Sequence, residues 1–170
     1  MTSAHGAAAH QAGMTLIEVL IAVAIVGVGL VALSAAVPLA AYAIHEGNRL
    51  SAATFLAEQR LEQARRAPWQ VGPACVDDLG VSPSSHVAPA SSCAGATTFP
   101  DEPEVAPPYA GFSRAVRIAG CDAGGACNGV VSADLRQVTV TVSYRPMTGA
   151  GLAPASRAKA ATVTMLVARR

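Results

Sequence analysis

Residues 13–43 read GMTLIEVLIAVAIVGVGLVALSAAVPLAAYA, and the fold turns on this stretch. It is almost wholly apolar apart from one carboxylate, Glu18, placed near its start. From Val19 to Ala43 there is no charge, a run of 25 residues. At ~1.5 Å per residue such a helix extends roughly 37 Å, enough for a hydrocarbon core about 30 Å thick. A charge inside that core is costly, by roughly 2.5–3.5 kcal/mol at the bilayer centre, so an intramembrane acid asks for a partner. The alternative leaves Glu18 at the membrane surface of a plain signal anchor.

The order of residues around the acid is more telling than its presence. Gly13, Met14, Thr15, Leu16, Ile17, Glu18, Val19 and Leu20 follow one another directly. This string resembles the cleavage and methylation signal of the type IV pilin superfamily. The resemblance is specific over residues 13–43 and architectural beyond them. It implies that a prepilin peptidase cuts between Gly13 and Met14 on the cytoplasmic side, removes a leader of residues 1–13 and methylates Met14. It also implies an α+β fold in which a long N-terminal helix, membrane-spanning in its first half, packs on a small antiparallel β-sheet.

The chemistry of the implied N terminus suits that use of the acid. Cutting leaves an α-amine on Met14, largely protonated near neutrality because its reference pKa is about 7.7–8.0. In a stack of subunits, Glu18 of one chain then meets the Met14 ammonium of its neighbour. Each charge removes the other's desolvation cost, and the pair fixes axial register. Glu18 is a partner-finding group on this reading, and no residue is assigned a catalytic role.

Composition bounds the remainder. Without the leader 157 residues remain, enough for one globular head beyond the apolar helix. A net charge of +1 gives no support to a nucleic-acid surface. The four cysteines, Cys75, Cys93, Cys121 and Cys127, all follow the apolar segment. Beyond an inner membrane they meet an oxidising compartment, so two disulfides are expected. Neighbours in sequence close the smallest loops, which selects Cys75–Cys93 and Cys121–Cys127 out of three possible connectivities. The leader contains no Lys or Arg, while Arg49, Arg60, Arg65 and Arg66 follow the apolar run. The positive-inside rule alone would place the head in the cytoplasm. The cleavage motif and the cysteines point the other way, to an inner-membrane anchor with a periplasmic head, and we follow them.

Within the 14–43 transmembrane and assembly helix, Pro38 cannot donate to the Ser34 carbonyl and predicts a kink or local opening. Residues 44–67 form the amphipathic second half. Leu50, Ala53, Thr54, Ala57, Leu61 and Ala64 recur at helical spacing as a face of mostly small residues fit to lie on a sheet. Glu62 and Arg66 are spaced as an i,i+4 pair, and Phe55 falls on the more polar side, against a neighbour or under the head's own loop. Pro68 ends the helix.

Residues 68–110 hold eight of the eleven prolines and read as a connecting loop. Ser84, Ser85 and His86 lie there without a G-x-S-x-G elbow and read as solvated loop residues. The sheet of the head occupies 111–170. Strands are predicted over Gly111–Ala119, Leu135–Arg145 and Ala160–Ala168, the last two with clean alternation. The loop CDAGGACNG lacks the repeated acids of a calcium site, and the cysteines lack paired C-x-x-C spacing, so no metal or cofactor is expected. Phosphate-cradling and dinucleotide motifs are absent as well.

Carried through, the resemblance implies a non-enzymatic subunit, assembled with other pilins through its N-terminal helix after a period in inner-membrane lipid. The flow of residues 13–67, with SAATFLAEQRLEQAR leading out of the membrane, is similar to minor pilins of the V-like type. A minor pseudopilin of a type II secretion system is the closest alternative. A signal-anchored periplasmic binding protein that never polymerises is the alternative of another class.

Overall fold

The computed structural model describes residues 13–67, 69, 79–91, 93, 98–122, 127–146 and 158–169. Most of the expected leader, residues 1–12, and Cys75 lie outside these. The elements follow the order α1 (Leu16–Arg66), β1 (Phe112–Cys121), β2 (Ser132–Tyr144) and β3 (Lys159–Ala168). By its internal contacts the chain divides between Ala41 and Tyr42 into two compact units.

In the first unit every described residue, 13 to 41, is exposed. The helix begins at Leu16 and runs on through Pro38. Its apolar side chains have no core of their own: Leu20, Ile25 and Leu30 are each more than half exposed. This stretch belongs to a helix long and apolar enough to cross a membrane.

The second unit builds its core from the rest of α1 and a meander of three antiparallel strands in the order β1-β2-β3. Alternation does the sorting, because successive side chains of a strand point to opposite faces. Val138, Val140, Val142 and Tyr144 of β2 are buried, while Thr139, Thr141 and Ser143 point the other way. Val140 pairs with Val116 on one side and Val163 on the other, which fixes the register of the sheet's centre. On the outer face Thr139 meets Thr164, and Thr141 meets Thr162, each pair 3.3 Å apart through the hydroxyls.

Ala53, Leu56, Ala57, Leu61 and Ala64 of α1 pack against this sheet. Ala53, Ala57, Leu61 and Ala64 belong to the expected face, and its edge differs. Leu50 is 48% exposed and Thr54 only half-buried, whereas Leu56 is buried at 1%. The helix is rotated toward Arg60, because that side of it binds the sheet through charge. Arg114 of β1 donates from Nη1 to the Leu56 carbonyl and to Gln59. Its Nε and Nη2 both donate to Glu102, which also accepts from Arg60. One carboxylate therefore joins helix, strand and loop. Arg60 also lies over the ring of Phe99.

Residues of the long connection enter the core as well. Leu79, Phe99 and Val105 are buried. Glu102 and Arg114 exchange backbone hydrogen bonds of 2.8 Å, and Val105 donates to the Phe112 carbonyl, so this segment covers the outer edge of β1. Ser82 covers the same edge higher up, donating to the Ile118 carbonyl. Arg136 stacks on Trp69 and donates to the Gly80 carbonyl. Two smaller expectations shift in detail. Glu62 meets Arg65, three residues on, where spacing had suggested Arg66. Phe55 forms a tilted ring contact with Tyr109 of its own loop at 6.2 Å and remains 52% exposed.

Candidate processing and assembly site

The site indicated by the sequence is the start of α1. Thr15 stands just outside the helix, and its carbonyl accepts from the amides of Glu18 and Val19. Its hydroxyl also accepts from the Glu18 amide at 3.4 Å. Thr15 is thus the N-cap, satisfying a donor that the first turn leaves unpaired. Threonine followed three residues later by glutamate is the spacing of a capping box, a signal that the sequence itself carries. Glu18 is also an acid in the first helical turn, where the helix dipole favours negative charge.

Gly13, Met14 and Glu18 lie together at the exposed end of the segment. The Glu18 carboxylate has no hydrogen-bond or ion-pair partner among the described residues. Met14 is 73% exposed. At Gly13 an added Cβ would meet nothing within 4 Å, and its φ lies outside the left-handed range. The fold of this chain therefore places no demand for glycine there. Gly80 shows the contrast: it has φ +70°, and a Cβ would press against the Ala90 carbonyl.

The remaining sequence candidates fall apart from this site. Cys121, the last residue of β1, and Cys127 form a disulfide with Cα atoms 5.5 Å apart. Cys93 is disulfide-bonded, and its expected partner Cys75 lies outside the described residues. Ser85 Oγ lies 3.0 Å from His86 Nδ1 on an exposed loop. Arg117 binds the carbonyls of both residues and forms a paired contact with Asp101. That guanidinium holds the Asp101 carboxyl below its ordinary value, so this acid is already committed to an arginine. Among the described residues no group of three or more His, Cys, Asp or Glu is placed to hold a metal ion.

Sequence reasoning missed the charged groups of the head. Arg114 sits at an inward position of β1, between Phe112 and Val116, and is 8% exposed. The alternation itself marked that position, but a charged residue there reads as solvent-facing. Glu46 was likewise unremarked; its carboxylate binds Tyr144 and Lys159 at the ends of β2 and β3.

Comparison with known proteins adds one finding. Residues 8–34 match the sequence model of the prokaryotic N-terminal methylation motif. No curated protein and no solved structure shows significant similarity to the chain. The matched residues span the Gly13–Met14 junction, the Thr15 cap and Glu18, and they open the helix that continues onto a small antiparallel sheet. The chain thus carries a prokaryotic N-terminal methylation motif at the head of a long helix, and that motif together with the α+β arrangement supports a likeness to the type IV pilin superfamily.

Proposed function

We propose that this protein is a minor subunit of a type IV pilus, cut by prepilin peptidase between Gly13 and Met14 and methylated on the Met14 amine. The observation that carries the proposal is Gly13 itself. Nothing in the fold needs a glycine at that position, yet it stands directly before a capped apolar helix with one acid in its first turn. Gly27, Gly29 and Gly47 are equally unconstrained, and what sets Gly13 apart is its place directly before Met14 within the matched methylation motif.

After cutting, the helix holds the chain in the inner membrane with the head in the periplasm, where the Cys121–Cys127 bridge is stable. The exposed and unpartnered Glu18 then pairs with the Met14 ammonium of a neighbouring subunit, and the helices stack into the filament. Pro38 supplies the point at which the apolar helix bends or opens during packing, since Ser34 lacks its usual backbone donor there. The subunit works by self-assembly and carries no reaction of its own.

The test is the N terminus of the chain taken from cells with active prepilin peptidase. Intact mass and N-terminal sequencing should show a chain starting at N-methyl-Met14. Gly13→Leu should keep its leader. A wild-type chain that retains its leader in those cells contradicts the proposal.

A further inference from the structure

The lowest turns of the helix within the head are attached differently from those above. From Tyr42 to Ala52 no residue is fully buried, and the first that is, Ala53, has no exposed surface. Tyr42, Glu46, Arg49 and Ala52 are half-buried and follow at intervals of four, three and three, one stripe turned toward the sheet. Polar contacts tie this stripe down. The Glu46 Oε1 accepts from the Tyr144 hydroxyl at 3.1 Å and from the Lys159 ammonium at 2.6 Å. Arg49 donates to the Arg145 carbonyl. Tyr144 and Lys159 are cross-strand partners, so one carboxylate oxygen clips the end of β2 and the start of β3 to the helix.

The other oxygen, Glu46 Oε2, is buried and has no hydrogen-bond partner among the described residues. A saturated structural carboxylate would use both oxygens. This one is held through a single oxygen and by charge. The Lys159 hydrogen bond is the largest cause keeping Glu46 below the ordinary carboxylate range, and the same bond holds Lys159 above the ordinary amine value.

We propose that Glu46 is a latch that sets where the head's grip on its helix begins. Closed, it holds residues 42–52 against the sheet ends. Open, it releases those turns as a unit, because the fully buried core starts only at Ala53 and Ala52 is the one residue of the stretch that packs against it. About three turns of helix thereby pass between a head-bound and a free state under the control of one ion pair. The proposal concerns the head alone and holds whether or not the chain enters a filament.

Hydrogen exchange on the full chain in detergent micelles tests it, with Glu46→Gln and Lys159→Met measured beside the wild type. Each variant should speed exchange of the amides of 47–53 by about tenfold. Amides of 57–64 and of 138–142 should keep wild-type rates. Unchanged exchange over 47–53 in both variants would overturn the latch. Equal acceleration through 57–64 would also overturn it, by making Glu46 a support of the whole core.

Discussion

The two units of this chain treat their apolar side chains in opposite ways. In residues 13–41 every side chain is exposed, Leu16 by 81% and Val31 by 73%, and the fold offers them no cover. In residues 42–169 the valines of β2 have no exposed surface at all, packed on Leu56, Ala57 and Leu61. Soluble proteins rarely leave so long an apolar surface open, and a membrane-length apolar run is consistent with anchoring in a lipid bilayer. The head has a core of its own. One chain thus combines a segment packed around its own core with one that has no core of its own.

The sharpest way to separate the two is at their functional ends. Gly13→Leu should abolish removal of the leader, read as an all-or-none mass difference, and leave the thermal unfolding of the head unchanged. A loss of head stability in that variant would mean that the glycine serves the fold after all.

Matched truncations come next. Leu56→Ala removes a side chain buried in the head and should lower its stability by about 2–5 kcal/mol in denaturant unfolding. Leu30→Ala, in the exposed segment, should leave that transition where it was. The charged joint between α1, β1 and the loop should behave as core too. Glu102→Gln leaves Arg60 and Arg114 facing each other without a counter-charge and should cost about 3 kcal/mol. Burial already holds both guanidinium pKa values below their ordinary level, which is the same penalty seen from the proton's side.

What the sequence disclosed follows the same division. The helix of the apolar segment was legible because its composition is uniform: a long apolar run with one acid near its start reads as one continuous helix, and α1 begins at Leu16 and runs through it. The strands of β2 and β3 were legible because one face is buried and the other solvated, so Val138 to Tyr144 wrote out the alternation. Of the helical face read over 50–64, Ala53, Ala57, Leu61 and Ala64 are buried; its edge alone is shifted, toward Leu56 and Arg60 and away from Leu50 and Thr54, because small and apolar residues defined it. Arg114 escaped for a related reason. Its burial depends on Glu102, a residue twelve positions away in a loop without periodicity, and no local pattern predicts such a meeting. The inward turn of Leu79, Phe99 and Val105 was hidden in the same way, since a Pro-rich connection gives no period from which burial can be read.

A smaller effect tests the surface of the head. The Arg117 hydrogen bond lowers the Asp101 pKa beneath its ordinary 3.8. A carboxylate depressed in the folded state contributes stability that is fully present above its unfolded pKa and is lost as pH falls through the folded one. The loss therefore falls below about pH 4, and because Asp101 is half exposed it should stay under about 1 kcal/mol. Arg117→Gln should remove that portion of the acid dependence in pH-dependent unfolding. A variant whose unfolding keeps the wild-type dependence below pH 4 would show that the pair is too screened to matter.

The most direct measurement of the central claim is incorporation of Glu18→Ala into sheared filaments, normalised to its level in the membrane. Removing the charge makes the segment cheaper to insert, and the peptidase's glycine is untouched, so the variant should reach the membrane and be cut. It should then fail to enter filaments, because the Met14 amine of its neighbour is left without a counter-charge. Glu18→Asp, which keeps the sign and loses reach, should fall between the two. Equal incorporation of Glu18→Ala and wild type would contradict the account and leave Glu18 as no more than the acid of a capped helix end.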